Sequence, residues 1–295
     1  MLIEECFVRV GRSAAAENAK LELCEEAFVK RKNTAPILFD PQLVEAYRGK
    51  HVFILVNGFH GSQFDMRSFK NEILATMPES TLMCSEANQG EETEQDIGKQ
   101  GKRLAVEVNK FLEELETKYG YSVGRISFIG FSLGGLTVRA ALPYLKKFKE
   151  KMHGFLTLGT PHLGFKYTSS KLFNAGMWVL KKWKNTSQCL KQLNLSDEPV
   201  FENTYLYTLS RMEGLNWFTH ILLCSSMQDT YVSFDTARIQ ITGEPANDPK
   251  DGNAYIQMAR NLLSEVPANV LYRVDVNFDI TERNLDSLTG RKAHI

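Results

Sequence analysis

The chain has 295 residues, 43% of them hydrophobic and 24% charged, with 35 basic and 35 acidic side chains and therefore no formal net charge. This is globular composition with enough chain for a large core, and it lacks the basic excess of a nucleic-acid binder. Five scattered cysteines (Cys6, Cys24, Cys84, Cys189, Cys224) show no metal-type spacing, and their odd number fits a reducing compartment rather than a disulfide framework.

The opening MLIEECFVRVGR carries acids where a signal peptide needs bases. No stretch approaches the roughly 18 apolar residues of a membrane span, so a cytoplasmic protein is expected. Residues 1–35 read as an extension, with a short strand over Cys6–Val10 and helical character over Ala14–Lys32. The organised domain is expected over 36–295. His51–Val56, HVFILV, is a continuous β-branched and aromatic run, the pattern of a strand covered on both faces. Asn57-Gly58-Phe59-His60-Gly61 follows as a strand-end loop. A helix is expected over Asp65–Met77, a strand over Thr81–Cys84, and a long amphipathic helix over Ile97–Lys118 with Leu104, Val108, Phe111, Leu112 and Leu115 on one stripe. Ile126–Ile129 reads as a strand, Leu136–Leu145 as a helix and Met152–Leu158 as a strand.

Phe165–Leu195 breaks this alternation. It is rich in Lys and Trp, and from Lys151 to Ser196 there are seven Lys and no acid. It reads as an inserted cap, a lid, or an element that meets a membrane surface. Helices over Pro199–Arg211 and Ala254–Leu263 and strands over His220–Ser225 and Asn269–Val276 complete the chain. Strands alternating with helices imply an α/β fold: a mostly parallel sheet with helices on both faces. Ligand chemistry then belongs at the carboxyl ends of the strands, where Asn57, His60 and His162 are candidate substrate contacts.

Between the Ile126–Ile129 strand and its helix stands Gly130-Phe131-Ser132-Leu133-Gly134, a Ser flanked by Gly two residues either side. This is the nucleophile-elbow pattern, in which a Cβ at Gly130 or Gly134 would crowd the neighbouring strand and helix. The backbone N–H of Leu133, at the helix start, and that of Phe59 are candidate oxyanion donors. A Ser hydroxyl needs a base, and the base an orienting acid. In α/β-hydrolases these follow in the order Ser, acid, His. Asp229 lies four residues past a strand end, with Asp235 its rival and Asp275 inside the last strand. His153 and His220 open strands, at the wrong end of the sheet, and His162 precedes every plausible acid strand. His294 fits the order. No motif calls for a metal or an organic cofactor.

Six segments in order, VFILVNGFHG, LMCSEANQG, ISFIGFSLGGLTVRAAL, FLTLGTPHLG, QDTYVSFDTARI and GRKAHI, resemble the putative serine esterase family of lipase-like α/β-hydrolases, in particular its eukaryotic branch, which carries this domain at the C-terminal end of longer proteins. The resemblance runs from about Pro36 to Ile295. It implies Ser132 as nucleophile, Asp229 as acid and His294 as base, and hydrolysis of carboxylic esters, lipid esters among them. The chain departs from that pattern at Asn57, where a His is usual, and at Ser233 and Asp235, where a Pro and a His are usual. The resemblance also leads one to expect a helix after GRKAHI. The alternative from a different class is a catalytically weak hydrolase-fold module for interaction or lipid binding.

Overall fold

A computed structural model describes residues 7–12, 49–167 and 187–278, the first six of these as backbone only. His294, the middle of the expected cap and the Ala14–Lys32 helix lie outside the described residues.

The sheet has seven strands: β1 (Phe7–Arg12), β2 (Lys50–Val56), β3 (Thr81–Cys84), β4 (Val123–Phe131), β5 (Met152–Leu158), β6 (His220–Ser225) and β7 (Leu271–Asn277). Their spatial order is β1-β7-β6-β5-β4-β2-β3. The six strands from β2 to β7 run parallel, and β1 pairs antiparallel with β7 along one edge. The N-terminal strand thus belongs to the same sheet as the rest.

The run HVFILV becomes a central strand because both its faces find apolar cover. Val52, Ile54 and Val56 point into the larger core cluster, Phe53 and Leu55 into a smaller one with Met66, Ile73 and Ile129. The small cluster lies under helix α1 (Arg67–Thr76), which supplies Ile73. The large cluster is filled by α2 (Ile97–Thr117) and α3 (Leu133–Ala141). The α2 stripe of Ile97, Leu104, Val108, Leu112 and Leu115 is buried along its length. Asp96 caps α2 by accepting the Lys99 N–H at 2.8 Å. Gly101 lets α2 close onto α3, because a Cβ there would lie 2.5 Å from Ala140.

Three boundaries differ from expectation for local reasons. The helix expected over Asp65–Met77 opens with a 3-10 turn, Gln63–Met66, held by a capping box between Ser62 and Asp65. α3 starts directly after Ser132 and gives way at Leu142 to a 3-10 segment through Lys151, where Pro143 lacks the N–H that α-helix continuation needs. The expected Pro199–Arg211 helix splits into the 3-10 turn Phe201–Asn203 and the short α5 (Tyr205–Ser210), because Thr204 leaves the helical conformation (ψ 150°) and its hydroxyl donates to the Phe201 carbonyl at 2.7 Å.

The expected insertion carries a helix that its pattern did not announce, α4 (Gln188–Leu193), capped by Ser187. α4 docks on the start of α2: Gln192 accepts the Ile97 N–H at 2.8 Å and donates to Asp96. Phe165 N–H donates to the Leu193 carbonyl at 2.8 Å, which brings the two ends of the segment together. A short helix α6 (Phe234–Ala237) and α7 (Gly252–Leu263) follow. Among the described residues no helix is long and apolar enough to cross a membrane.

Gly-to-Ala changes inside a helix usually stabilise by about 1 kcal/mol. Gly101→Ala should do the opposite and cost about 1–3 kcal/mol, because the α2–α3 contact is already closed. Urea denaturation measures the sign directly.

Candidate active site

β2 and β4 are neighbours whose chain connections leave in opposite directions, to β3 on one side and to β5 on the other. Such a point opens a crevice outside the carboxyl ends of the strands. Here β2 ends in Asn57–Gly61 and β4 ends at Ser132.

Ser132 sits between strand and helix with φ 50° and ψ −119°, a region that non-glycine residues enter at a cost of about 1–3 kcal/mol. The space for this turn comes from glycines. A Cβ on Gly130 would lie 2.5 Å from Gly135, one on Gly134 2.3 Å from the Val56 carbonyl, and one on Gly135 2.3 Å from the Thr160 hydroxyl. Gly135, next to the expected pair, is therefore a third required glycine; the doubled Gly of SLGG was the signal for it. The Ser132 hydroxyl does not cap α3, whose first residue is Leu133, itself buried. The N–H groups of the first turn of α3 gather at this spot, with the positive end of the helix dipole.

The β2 loop comes to the same place. A Cβ on Gly58 would lie 3.0 Å from the Ser132 Cβ, so Phe59 is one residue from direct contact with the elbow. Phe59 packs against the large core and meets the His60 ring edge-on at 4.6 Å. His60 has a left-handed backbone (φ 56°), and its Nε2 lies 2.8 Å from the Glu94 carboxylate. Asn57, expected as a substrate contact, is buried. Its Nδ2 donates to the carbonyls of Gly58 and Asn88, both at 3.1 Å, so its amide holds the loop together.

His162, expected at the ligand edge, is instead an internal strut. It is 1% exposed, with Nε2 3.2 Å from the Thr157 hydroxyl and Nδ1 3.4 Å from the Arg139 guanidinium. Arg139 also donates to the His162 carbonyl at 3.2 Å. Burial first, and the Arg139 charge second, hold this imidazole well below its usual pKa. The sharp Gly159–Gly164 turn folds the side chain back beneath the strand end, which a reading by strand order could not show.

Asp229 follows β6 and is 8% exposed. Its Oδ1 accepts the N–H groups of Tyr231 at 2.8 Å and Val232 at 3.0 Å, an Asx turn that fixes the carboxylate. The β5 and β6 ends are tied side by side by the Gly159 N–H to Cys224 carbonyl bond, 3.0 Å. Asp235 lies in the first turn of α6, and burial pushes its carboxyl pKa up against the lowering effect of Arg238. Asp275 is paired with Arg238.

At the opposite end of the sheet His153 lies between His51 and His220, with ring centroids 5.2 and 5.0 Å away. His51 and His153 are pulled down to about 3 and about 4, by burial and then by Arg125. These are the histidines at strand starts, far from the elbow in the fold, as their positions imply.

Replacing the Asn57 amide tests the loop. Asn57→Asp turns a two-bond donor toward two carbonyl oxygens into an acceptor, and should destabilise more than Asn57→Ala. The introduced carboxyl would have a raised pKa in the fold. The deficit should therefore be full at pH 8 and shrink as pH falls toward the unfolded carboxyl value of about 3.9. Thermal melts across pH check this; a pH-independent deficit would contradict it.

The family described as Putative serine esterase (DUF676) matches residues 47–242, well over half of the chain. That span holds the β2 loop, the elbow and Asp229, and stops before β7. A Saccharomyces cerevisiae protein described as a putative lipase is 35% identical over 147 residues, which are 46% of this chain and 22% of that relative. The chain therefore matches about a fifth of the relative's length. Among solved structures, Aspergillus fumigatus lipase B is 16% identical, with a TM-score of 0.45, covering 67% of this chain and 41% of that one. A monoacylglycerol lipase of Paleococcus ferrophilus is 13% identical, with a TM-score of 0.42, covering 84% and 93%. The parallel sheet, the strained serine turn and the sequence match agree: the chain is an α/β-hydrolase fold and belongs to the putative serine esterase family.

Proposed function

We propose that the protein hydrolyses carboxylic esters through an acyl-enzyme on Ser132, with His294 as base and Asp229 as the acid that orients it. The Ser132 oxygen attacks the ester carbonyl while His294 takes its proton. The oxyanion accepts hydrogen bonds from the Leu133 and Phe59 N–H groups. The C–O bond then breaks, and the alcohol leaves with the proton from His294. Water, deprotonated by the same His, attacks the acyl-enzyme and releases the acid and the free Ser132 hydroxyl.

The observation that carries this reading is the conformation of Ser132. A non-glycine residue at φ 50° costs stability, and the fold spends three glycines on accommodating it where strand ends and a helix N-terminus converge. Asp229 is favoured over Asp235 because two backbone N–H groups fix its carboxylate after β6. His294 enters from its place in chain order and from the resemblance. The yeast relative's description as a putative lipase supports lipid esters as the substrate class. The 165–195 segment, whose ends are joined by the Phe165–Leu193 bond, is the candidate for a cap.

Hydrolysis of p-nitrophenyl esters of increasing chain length tests this, with and without micelles. Ser132→Ala and His294→Ala should lower kcat by about 10⁴-fold or more, and Asp229→Asn by about 10³- to 10⁴-fold, while binding survives. Asp235→Asn should leave kcat within a factor of about three, since it removes a charge outside the proposed triad. Absence of turnover in the unmodified protein, or turnover that persists in Ser132→Ala, would sink the reading.

A further inference from the structure

The backbone N–H and carbonyl of Ser132 are held by the end of β5 and the turn that follows it. Its N–H donates to the Leu158 carbonyl at 2.8 Å, and its carbonyl accepts the Thr160 hydroxyl at 2.8 Å as well as the Gly135 N–H at 3.2 Å. The Thr160 bond is the one of these three made by a side chain. Thr160 is fully buried, and its hydroxyl and methyl press on Gly135 so closely that a Cβ there would lie 2.3 and 2.7 Å from them.

The turn itself is braced from below. His162 N–H donates back to the Thr160 carbonyl at 2.8 Å. Arg139, two turns along α3 from Ser132, grips His162 through both ring and carbonyl. A guanidinium only donates, so His162 Nδ1 accepts from it and Nε2–H donates to Thr157. Arg139 is buried for this contact, and its Nη2 finds no hydrogen-bond partner among the described residues. Burying a cation so sparingly paired is unfavourable.

We infer that Thr160 is a positioning residue for Ser132: its hydroxyl, set by the Arg139–His162 brace, holds the Ser132 carbonyl and so keeps the serine in its left-handed conformation. The reactive consequence rests on the proposed role of Ser132; the conformational one does not. Released from Thr160, the Ser132 peptide can relax toward negative φ, carrying the hydroxyl and the Leu133 N–H out of mutual register.

The test compares Thr160→Val, Thr160→Ala and Thr160→Ser with the unmodified protein by p-nitrophenyl butyrate kinetics, melting temperature and crystal structure. T160V and T160A should lose at least about tenfold in kcat with KM held within about twofold, as displacement of a reacting group does. T160S, which keeps the hydroxyl, should recover most of the rate. The structures should show Ser132 leaving positive φ in T160V and T160A and retaining it in T160S. T160A gives the same readouts if T160V does not fold. Ser132 remaining near φ +50° in T160A or T160V, or T160S as impaired as T160A, would overturn the inference. If the unmodified protein has no turnover, the nucleophile reading falls, and the crystallographic φ still decides the role of Thr160.

Discussion

The close approach of the Gly130–Gly135 turn to the end of β2 and to Thr160 is the contact on which the rest of the site depends. Three positions have neighbours within 2.3–2.5 Å of where a Cβ would stand, so α3 can begin immediately at the sheet edge. Every residue of α3 is buried, pressed on one side by α2 and on the other by the sheet. Burial of each large apolar side chain contributes about 1.5–3 kcal/mol. The packing of Leu133, Leu136 and Val138 therefore far exceeds the strain of one left-handed serine. The strain is local and the compensation is spread through the core, which is how a fold keeps one residue in a conformation it would not choose.

The parallel sheet turns that contact into a site. Because β2, β4, β5 and β6 run in one direction, their following loops arrive at one edge. Each loop is then stiffened by its own polar bonds. Asn57 ties the β2 loop to the Asn88 segment, Thr160 ties the β5 turn to the elbow, and the Asx turn of Asp229 fixes the loop after β6. Backbone N–H and carbonyl groups supply most of the partners. The loops can thus be dense and partly buried with their backbone polar groups largely paired.

The strands and the elbow were legible because their signals are local. HVFILV can only be comfortable between two apolar layers, and GFSLG between a strand and a helix has a steric explanation in its glycines. The stripe of α2 was readable for the same reason. What could not be read were contacts set by the path of the chain. Asn57 and His162 have the chemistry of ligand contacts, yet one serves as a loop tie and the other as a buried strut, because the turns after β2 and β5 fold them inward. Thr160 lies within the FLTLGTPHLG segment, yet its role was not readable there, since a buried threonine hydroxyl looks like any other until its partner is known. α4 was hidden by its surroundings: its capping Ser187 and six residues are too short for a periodic stripe. The 3-10 segments replace expected helix where Pro143 and Thr204 interrupt the hydrogen-bond ladder.

The central claim is that the strained turn presents a reactive nucleophile. Exposure of the intact protein to a fluorophosphonate, followed by digestion and peptide mass spectrometry, tests it most directly. A single adduct on the peptide containing Ser132, with loss of the fluoride, is the expected result. An unmodified Ser132 peptide, or an adduct carried by another residue, would contradict the account.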